Sequence, residues 1–341
     1  MTDYLVLVAN EADNTIGSFD LSGGKLTPLE RSPIAGCSTF AVDPRRDLVF
    51  ASSKQGPSVV TLRLDRAGGG LTEIARREVE AASNYLALSA DGRLLLSASY
   101  HGGFGTSSPV SEAGEVGEPL SRLAHANMHS VAITGDQRFA YFVSLGEDLL
   151  AQCAVGADGT LTPLDPPTAA APEGTGPRHL VLDADETTVY VLTEFTAEVL
   201  RYRRDAEKGT LEFVDSIPTA DPEAGLGRSA YGRDPRADHL IWGADIHLSP
   251  DEATLWTSER TASTLATLPV DASGGLRPPL AFVATEPQPR GFAVSPDGRW
   301  LVAAGERSTT VSLYSLEEQV PRFVDRAPTG AGANWVRIIP R

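Results

Sequence analysis

The chain has 341 residues, with 29 Lys and Arg against 45 Asp and Glu, for a formal charge of −16. Such an acidic chain is a poor partner for nucleic acid or anionic membranes, because phosphate contacts need clustered Lys and Arg. At 41% hydrophobic and 7% aromatic residues the composition is that of a packed interior rather than a disordered chain. No apolar run reaches the ~18 residues of a membrane helix. The opening Met1-Thr-Asp-Tyr-Leu5 has neither a basic nor an apolar leader segment. The two cysteines, Cys37 and Cys153, suit reduced thiols in a cytoplasm rather than a disulfide framework or a cysteine metal site.

In chain order, the sequence opens on an apolar strand, Tyr4–Ala9, and then repeats one motif. A short apolar run leads to a turn at Pro, Ala or Gly, and a second apolar run follows. The copies are Phe40-Ala-Val-Asp-Pro44, Leu86-Ala-Leu-Ser-Ala90, Val131-Ala-Ile-Thr-Gly135 and Leu180-Val-Leu-Asp-Ala184. They continue as Ile246-His-Leu-Ser-Pro250, Phe292-Ala-Val-Ser-Pro296 and Val336-Arg-Ile-Ile-Pro340. The turn positions are separated by 46, 45, 49, 66, 46 and 44 residues. Each unit reads as four strands; around residue 180 these are Leu180–Leu182, Val189–Thr193, Val199–Arg203 and Leu211–Ser216. Asp91-Gly92 and Asp297-Gly298 are hairpin turns.

Four strands in a 40–50-residue period predict an all-β fold, a seven-bladed β-propeller of four antiparallel strands per blade. The chain begins on a second-strand type of segment and ends on a first-strand type, Trp335–Ile339. These ends are expected to share one blade and close the ring, so that residues 1–341 form a single domain. The step of 66 carries an insertion at about 221–242, which contains Arg228, Tyr231, Arg233 and His239. It falls between blades on the face where first strands begin and second strands end. It is either a lid over the channel mouth or a passive loop.

A ligand site is expected at that mouth. Six residues before the successive turns stand Ser38, Asn84, His129, Arg178, Ala244, Arg290 and Asn334. The second strands end at Asn10, Ser53, Ser99, Leu145, Glu194, Arg260 and Glu306, with Lys54, Tyr100, His101 and Arg307 just beyond. Three arginines, a histidine and two carboxylates on one rim exceed what turn chemistry requires.

Several motifs resemble those of the propeller-type lactonases, the family of bacterial 6-phosphogluconolactonases and carboxymuconate-lactonising enzymes. They are Met128-His-Ser130, Leu145-Gly-Glu-Asp148, Gly176-Pro-Arg-His179, Ala244-Asp-Ile-His247, Ser258-Glu-Arg-Thr-Ala-Ser263 and Gln288-Pro-Arg-Gly-Phe292. Two segments depart from the family pattern. Thr106–Val110 lacks its regular strand, and Leu149-Leu-Ala-Gln-Cys153 replaces a tyrosine-bearing one.

The resemblance implies His129, Arg178, Glu194 and Arg260 as the catalytic set, the positions that the blade alignment also reaches. It implies hydrolysis of 6-phospho-D-glucono-1,5-lactone, with His129 or Glu194 as the base and Arg178 or Arg260 on the oxyanion. Arg290 and Lys54 are the expected phosphate ligands, and Tyr100, His179, His247, Asn10 and Glu306 further substrate contacts. His179, His247 and Asp245 have a structural reading beside the functional one.

No cofactor is expected. Glu194, Asp245, Glu306 and Asn10 are a Ca²⁺ site only if the arginines turn away. The expected partner is a small-molecule lactone, with the protein a monomer or dimer. Two other functions remain open: a lactonase or lactonising cycloisomerase for a non-phosphorylated lactone, and a non-catalytic binding propeller.

Overall fold

The computed structural model describes residues 3–341. Its strands form seven four-stranded antiparallel sheets arranged as blades around a channel. Blade 1 joins Ala333–Pro340 to Tyr4–Asn10, Thr15–Ser22 and Lys25–Pro33, so the two ends of the chain close the ring as expected. The register runs from Tyr4 opposite Pro340 to Ala9 opposite Trp335. The other blades follow in order: blade 2 starts at Cys37–Asp43, blade 3 at Tyr85–Leu88 and blade 4 at Met128–Ile133. Blades 5, 6 and 7 start at Pro177–Leu182, Gly243–Leu248 and Pro289–Val294. No helix among the described residues is long and apolar enough to cross a membrane.

The repeated turn has a local cause. In Ser89-Ala-Asp91, Thr134-Gly-Asp136, Ser249-Pro-Asp251 and Ser295-Pro-Asp297 the hydroxyl donates to the aspartate at 2.7, 2.6, 2.5 and 2.6 Å. The same hydroxyl accepts the backbone N–H that opens the second strand, as Ser89 does from Leu94 at 2.9 Å. The turn is thus closed by side chains that compete well for backbone groups. Gly92 and Gly298 supply the left-handed residue, at φ of 75° and 71°.

Between blades the sheets pack face to face. The second and third strands are buried on both sides, as in Leu94–Ser99 and Phe139–Ser144. Each apolar cluster bridges two neighbours: Val6 and Phe19 of blade 1 meet Val302 and Leu313 of blade 7.

The segment expected to lack a strand is one: Phe104–Pro109 is the third strand of blade 3. Its residues are small for a reason. A Cβ on Gly105 would stand 2.4 Å from the Phe142 ring of blade 4, and Ser97 and Thr106 share a hydroxyl hydrogen bond of 2.7 Å. Small residues there let the next blade approach, and this masks the apolar alternation by which strands are recognised.

The feature that builds the site is a β-bulge. In six of the seven blades the first strand gains an extra residue just after its start, opposite the end of the second strand. The extra residue is Asn334, Ser38, His129, Arg178 or Arg290; blade 6 fits both Ala244 and Asp245 into the gap. A bulge leaves its residue outside the ladder and re-aims the side chain. Six of the seven aligned rim positions found in the sequence fall on these bulges, and the seventh, Asn84, stands just before the first strand of blade 3.

Candidate active site

Three buried side chains and one part-buried carboxylate from blades 4, 5 and 6 meet at the rim. Arg178 is 1% exposed, Arg260 3% and His129 4%. Glu194, at the end of the second strand of blade 5, ties the arginines together. Its Oε2 accepts from Arg178 Nε at 2.9 Å and from Arg260 Nη2 at 2.8 Å. Its Oε1 accepts from the Trp242 indole at 3.3 Å. Burial alone would raise Glu194, but Arg260 and Arg178 outweigh it and hold the carboxyl below its ordinary value. A carboxylate saturated by two guanidiniums and an indole is an organiser rather than a proton acceptor.

Both arginines are fixed by backbone as well. Arg178 Nη1 donates to the Ala244 carbonyl. Arg260 Nη2 donates to the Gly243 carbonyl at 3.0 Å, and its guanidinium lies 3.8 Å from the centre of the Trp242 ring. Arg178 Nη2 and Arg260 Nη1 make no hydrogen bond among the described residues. Burial and Arg260 push Arg178 down to about 9. It is still charged at neutral pH.

His129 differs from these. Its Nδ1 is buried and has no hydrogen-bond partner. Ring contacts hold the imidazole, edge-on to Tyr100 at 5.7 Å between centroids and tilted against His179 at 5.2 Å. Burial, then Arg178, His179, Arg290 and Arg260, push it well below the usual histidine value. At neutral pH it is therefore an uncharged imidazole beside cations, with nitrogen capacity to spare.

Asp245 has a larger part than the sequence suggested. Its Oδ1 pairs with His179 Nδ1 at 2.8 Å, and its Oδ2 with His247 Nε2 at 3.3 Å and the Phe292 N–H at 3.2 Å. His179 Nε2 in turn lies 3.1 Å from Arg178 Nη1. Burial and Arg178 lower His179 to about 3, so it is neutral, donating to Asp245 through Nδ1 and accepting from Arg178 through Nε2. The chain Asp245–His179–Arg178 runs from blade 6 to blade 5 and orients one guanidinium.

The other expected contacts are distributed differently. Tyr100 is at the mouth, and burial followed by Glu194 and Tyr231 raises its hydroxyl to about 12. His179 is 2% exposed with both ring nitrogens occupied, so it supports Arg178 instead of facing a ligand. His247 packs on Phe292 at 4.6 Å and holds Asp245. Asn10 is fully buried between Thr15 and Thr329. Lys54 pairs with Glu11 at 2.7 Å and Arg290 with Glu306 at 2.9 Å, so neither offers uncompensated charge. Glu306 also accepts from Gln288, and despite burial Arg290 and Arg260 lower it to about 2. The carboxylates considered for Ca²⁺, Glu194 and Glu306, face arginines.

Sequence reasoning passed over Trp242 and Gln288. Trp242 is the last residue of the insertion, so its place beside the rim was the available signal.

The insertion spans residues 219–242 between Leu211–Pro218 and Gly243–Leu248. It opens on a single 3₁₀ turn, Pro222–Ala224, that Asp221 caps. Ser229 N–H binds the Phe195 carbonyl at 3.0 Å, and Gly227 bridges to Leu240. Trp242, its last residue, donates to Glu194 at 3.3 Å. The segment therefore overhangs the mouth rather than leaving it.

Comparison with known proteins identifies the family and the fold. The model of a family described as lactonase, 7-bladed beta-propeller matches residues 4–327. Among curated proteins, a 6-phosphogluconolactonase of Sodalis glossinidius is 30% identical, with 99% of each chain covered. One of Pectobacterium carotovorum is 29% identical, with 98% of each covered. Among solved structures, a periplasmic gluconolactonase of Pseudomonas aeruginosa superposes with a TM-score of 0.86 at 23% identity, covering 99% of each chain. A Lactobacillus plantarum protein superposes with a TM-score of 0.84 at 20% identity, covering 99% of this chain and all of its own.

Proposed function

Because the chain belongs to the seven-bladed β-propeller lactonase family, we propose that it hydrolyses 6-phospho-D-glucono-1,5-lactone to 6-phosphogluconate. The observation that carries the reading is the pairing of an unpartnered neutral imidazole, His129, with two guanidiniums locked on one carboxylate. Full-length relatives named 6-phosphogluconolactonase support the substrate.

Lactone hydrolysis needs a water oxygen delivered to the carbonyl carbon and a place for negative charge on the carbonyl oxygen. His129 takes a proton as the water adds. The oxyanion forms between Arg178 Nη2 and Arg260 Nη1, whose donors are preorganised and charged. Collapse breaks the bond from the carbonyl carbon to the ring oxygen, and the imidazolium returns its proton to that leaving oxygen. The depressed affinity of His129 for protons makes it a weak base but a strong acid for the second step. Glu194 stays ionised throughout and holds the two arginines at one spacing. Buried free thiols at Cys37 and Cys153 suit a reducing cytoplasm, where we place the reaction.

The test is turnover of freshly prepared 6-phosphogluconolactone against glucono-1,5-lactone, with spontaneous hydrolysis subtracted and EDTA present or absent. Fast, EDTA-insensitive turnover of the phosphorylated lactone supports the reading. Preference for the unphosphorylated lactone removes the phosphate from it, and no turnover of either removes the hydrolase.

A further inference from the structure

The chain is acidic overall, and most of the cations near its mouth are neutralised by carboxylates. Arg307, just past the end of the second strand of blade 7, and Arg236, on the insertion, are not. Both are exposed, and neither side chain makes an ion pair or hydrogen bond among the described residues. They line one pocket of about 470 Å³ together with Asp234, Ala237, Trp242 and Gln288. Two of those residues lead into the catalytic cluster. Trp242 carries Arg260 on its ring and donates to Glu194. Gln288 donates to Glu306, which holds Arg290. The pocket is therefore the antechamber of the site, walled on one side by the insertion.

An unpaired guanidinium in an acidic protein is an unspent anion receptor, and two on one pocket match the charge of a phosphate monoester. The carboxylate in the wall, Asp234, accepts from the backbone N–H groups of Arg236 and Ala237 at 3.1 and 3.2 Å. It fixes the turn that presents Arg236. Chemically, the substrate's phosphate is borne on an exocyclic methylene attached to the ring carbon on one side of the ring oxygen, and the carbonyl carbon is on the other side of that oxygen. A lactone with its carbonyl between Arg178 and Arg260 can project its phosphate past Trp242.

The geometry points to Arg236 and Arg307, with Gln288 beside them, as the subsite that takes the phosphate of the lactone. It makes the insertion the element that selects phosphorylated substrates. This rests on the hydrolase reading above and deepens it. The positive charge sits at the rim, outside the catalytic cluster, so the subsite governs substrate choice rather than the chemical step.

The experiment compares kcat/KM for 6-phosphogluconolactone and glucono-1,5-lactone in wild type, Arg236→Gln, Arg307→Gln and the double variant. The ratio in favour of the phosphorylated lactone is expected to fall about tenfold in each single variant and about a hundredfold in the double, the scale of lost charge-assisted hydrogen bonds. The Arg236→Lys and Arg307→Lys variants should recover part of it. An unchanged ratio in the double variant, with wild type active, overturns the subsite and leaves the hydrolase standing. If wild type turns over neither lactone, the hydrolase falls and the subsite is judged alone, by calorimetric titration with inorganic phosphate. Binding that the double variant loses then supports it; equal binding, or none to wild type, overturns it.

Discussion

The two halves of the channel mouth use one backbone device for different ends. Blades 1 and 2 place Asn334 and Ser38 on their bulges, and blade 3 offers Asn84 at the same level. Blades 4, 5 and 7 place His129, Arg178 and Arg290 there, and the second strands of blades 5, 6 and 7 add Glu194, Arg260 and Glu306. On the first side the polar groups are uncharged and tie in part to the scaffold: Asn334 donates to Glu11 at 2.7 Å and Asn84 accepts the Tyr100 N–H at 3.0 Å, while Ser38 Oγ and Asn334 Oδ1 are buried without a hydrogen-bond partner. On the second they satisfy one another and leave donors and an imidazole over. The contrast teaches that the bulge makes a site possible and the side chain placed on it decides whether there is one.

The sharpest way to break the active half is Glu194→Ala. It leaves two buried guanidiniums without their shared counter-charge, which costs on the order of 3–5 kcal/mol of stability. Turnover should fall about 10³-fold, because the oxyanion donors lose their spacing. Thermal denaturation and lactone kinetics read the two effects separately.

Next is His129→Gln, expected to lower kcat by about 10²–10⁴-fold with little change in melting temperature, since the imidazole nitrogen it removes has no partner to orphan. The pH profile sharpens the same point. Because the folded value of His129 is depressed, the base stays unprotonated until the solution is well below pH 6.5, and the acid limb of kcat/KM belongs there. Arg178→Ala removes the strongest of its positive neighbours and should move that limb to higher pH. A wild-type limb at or above 6.5 would count against His129 as the base.

The quiet half should barely respond. Lys54→Ala breaks a half-exposed pair with Glu11, a loss of about 0–1 kcal/mol, and kcat/KM is expected to change by less than about twofold. A larger loss specific to the phosphorylated substrate would return Lys54 to the phosphate and narrow the difference between the halves.

The blade count, the ring closure and the rim positions were legible because they rest on periodicity. The turn at Pro, Ala or Gly recurs every 44–49 residues outside the one step of 66, and the bulges lie at a near-constant distance before it. What stayed hidden was partnership across blades. The spacing of His179 and Asp245 says nothing of a 2.8 Å contact between blades 5 and 6, so His179 kept a reading as a ligand contact beside the structural one. Lys54 and Arg290 read as free cations because their carboxylates, Glu11 and Glu306, come from other stretches of chain. Phe104–Pro109 was missed for the opposite reason, since its small residues answer to Phe142 in the next blade rather than to any local pattern.

The pairing of Tyr4–Asn10 with Ala333–Pro340 sets an order of events during synthesis. Tyr4–Asn10 waits for Ala333–Pro340, and Asn334 reaches Glu11 only when that distant strand has emerged. Contacts this distant in sequence are slow to form. A nascent chain can stack most of its blades early, yet its channel stays an open arc and its rim an incomplete circle. The ring is therefore completed in one late step, at the closing of the seam.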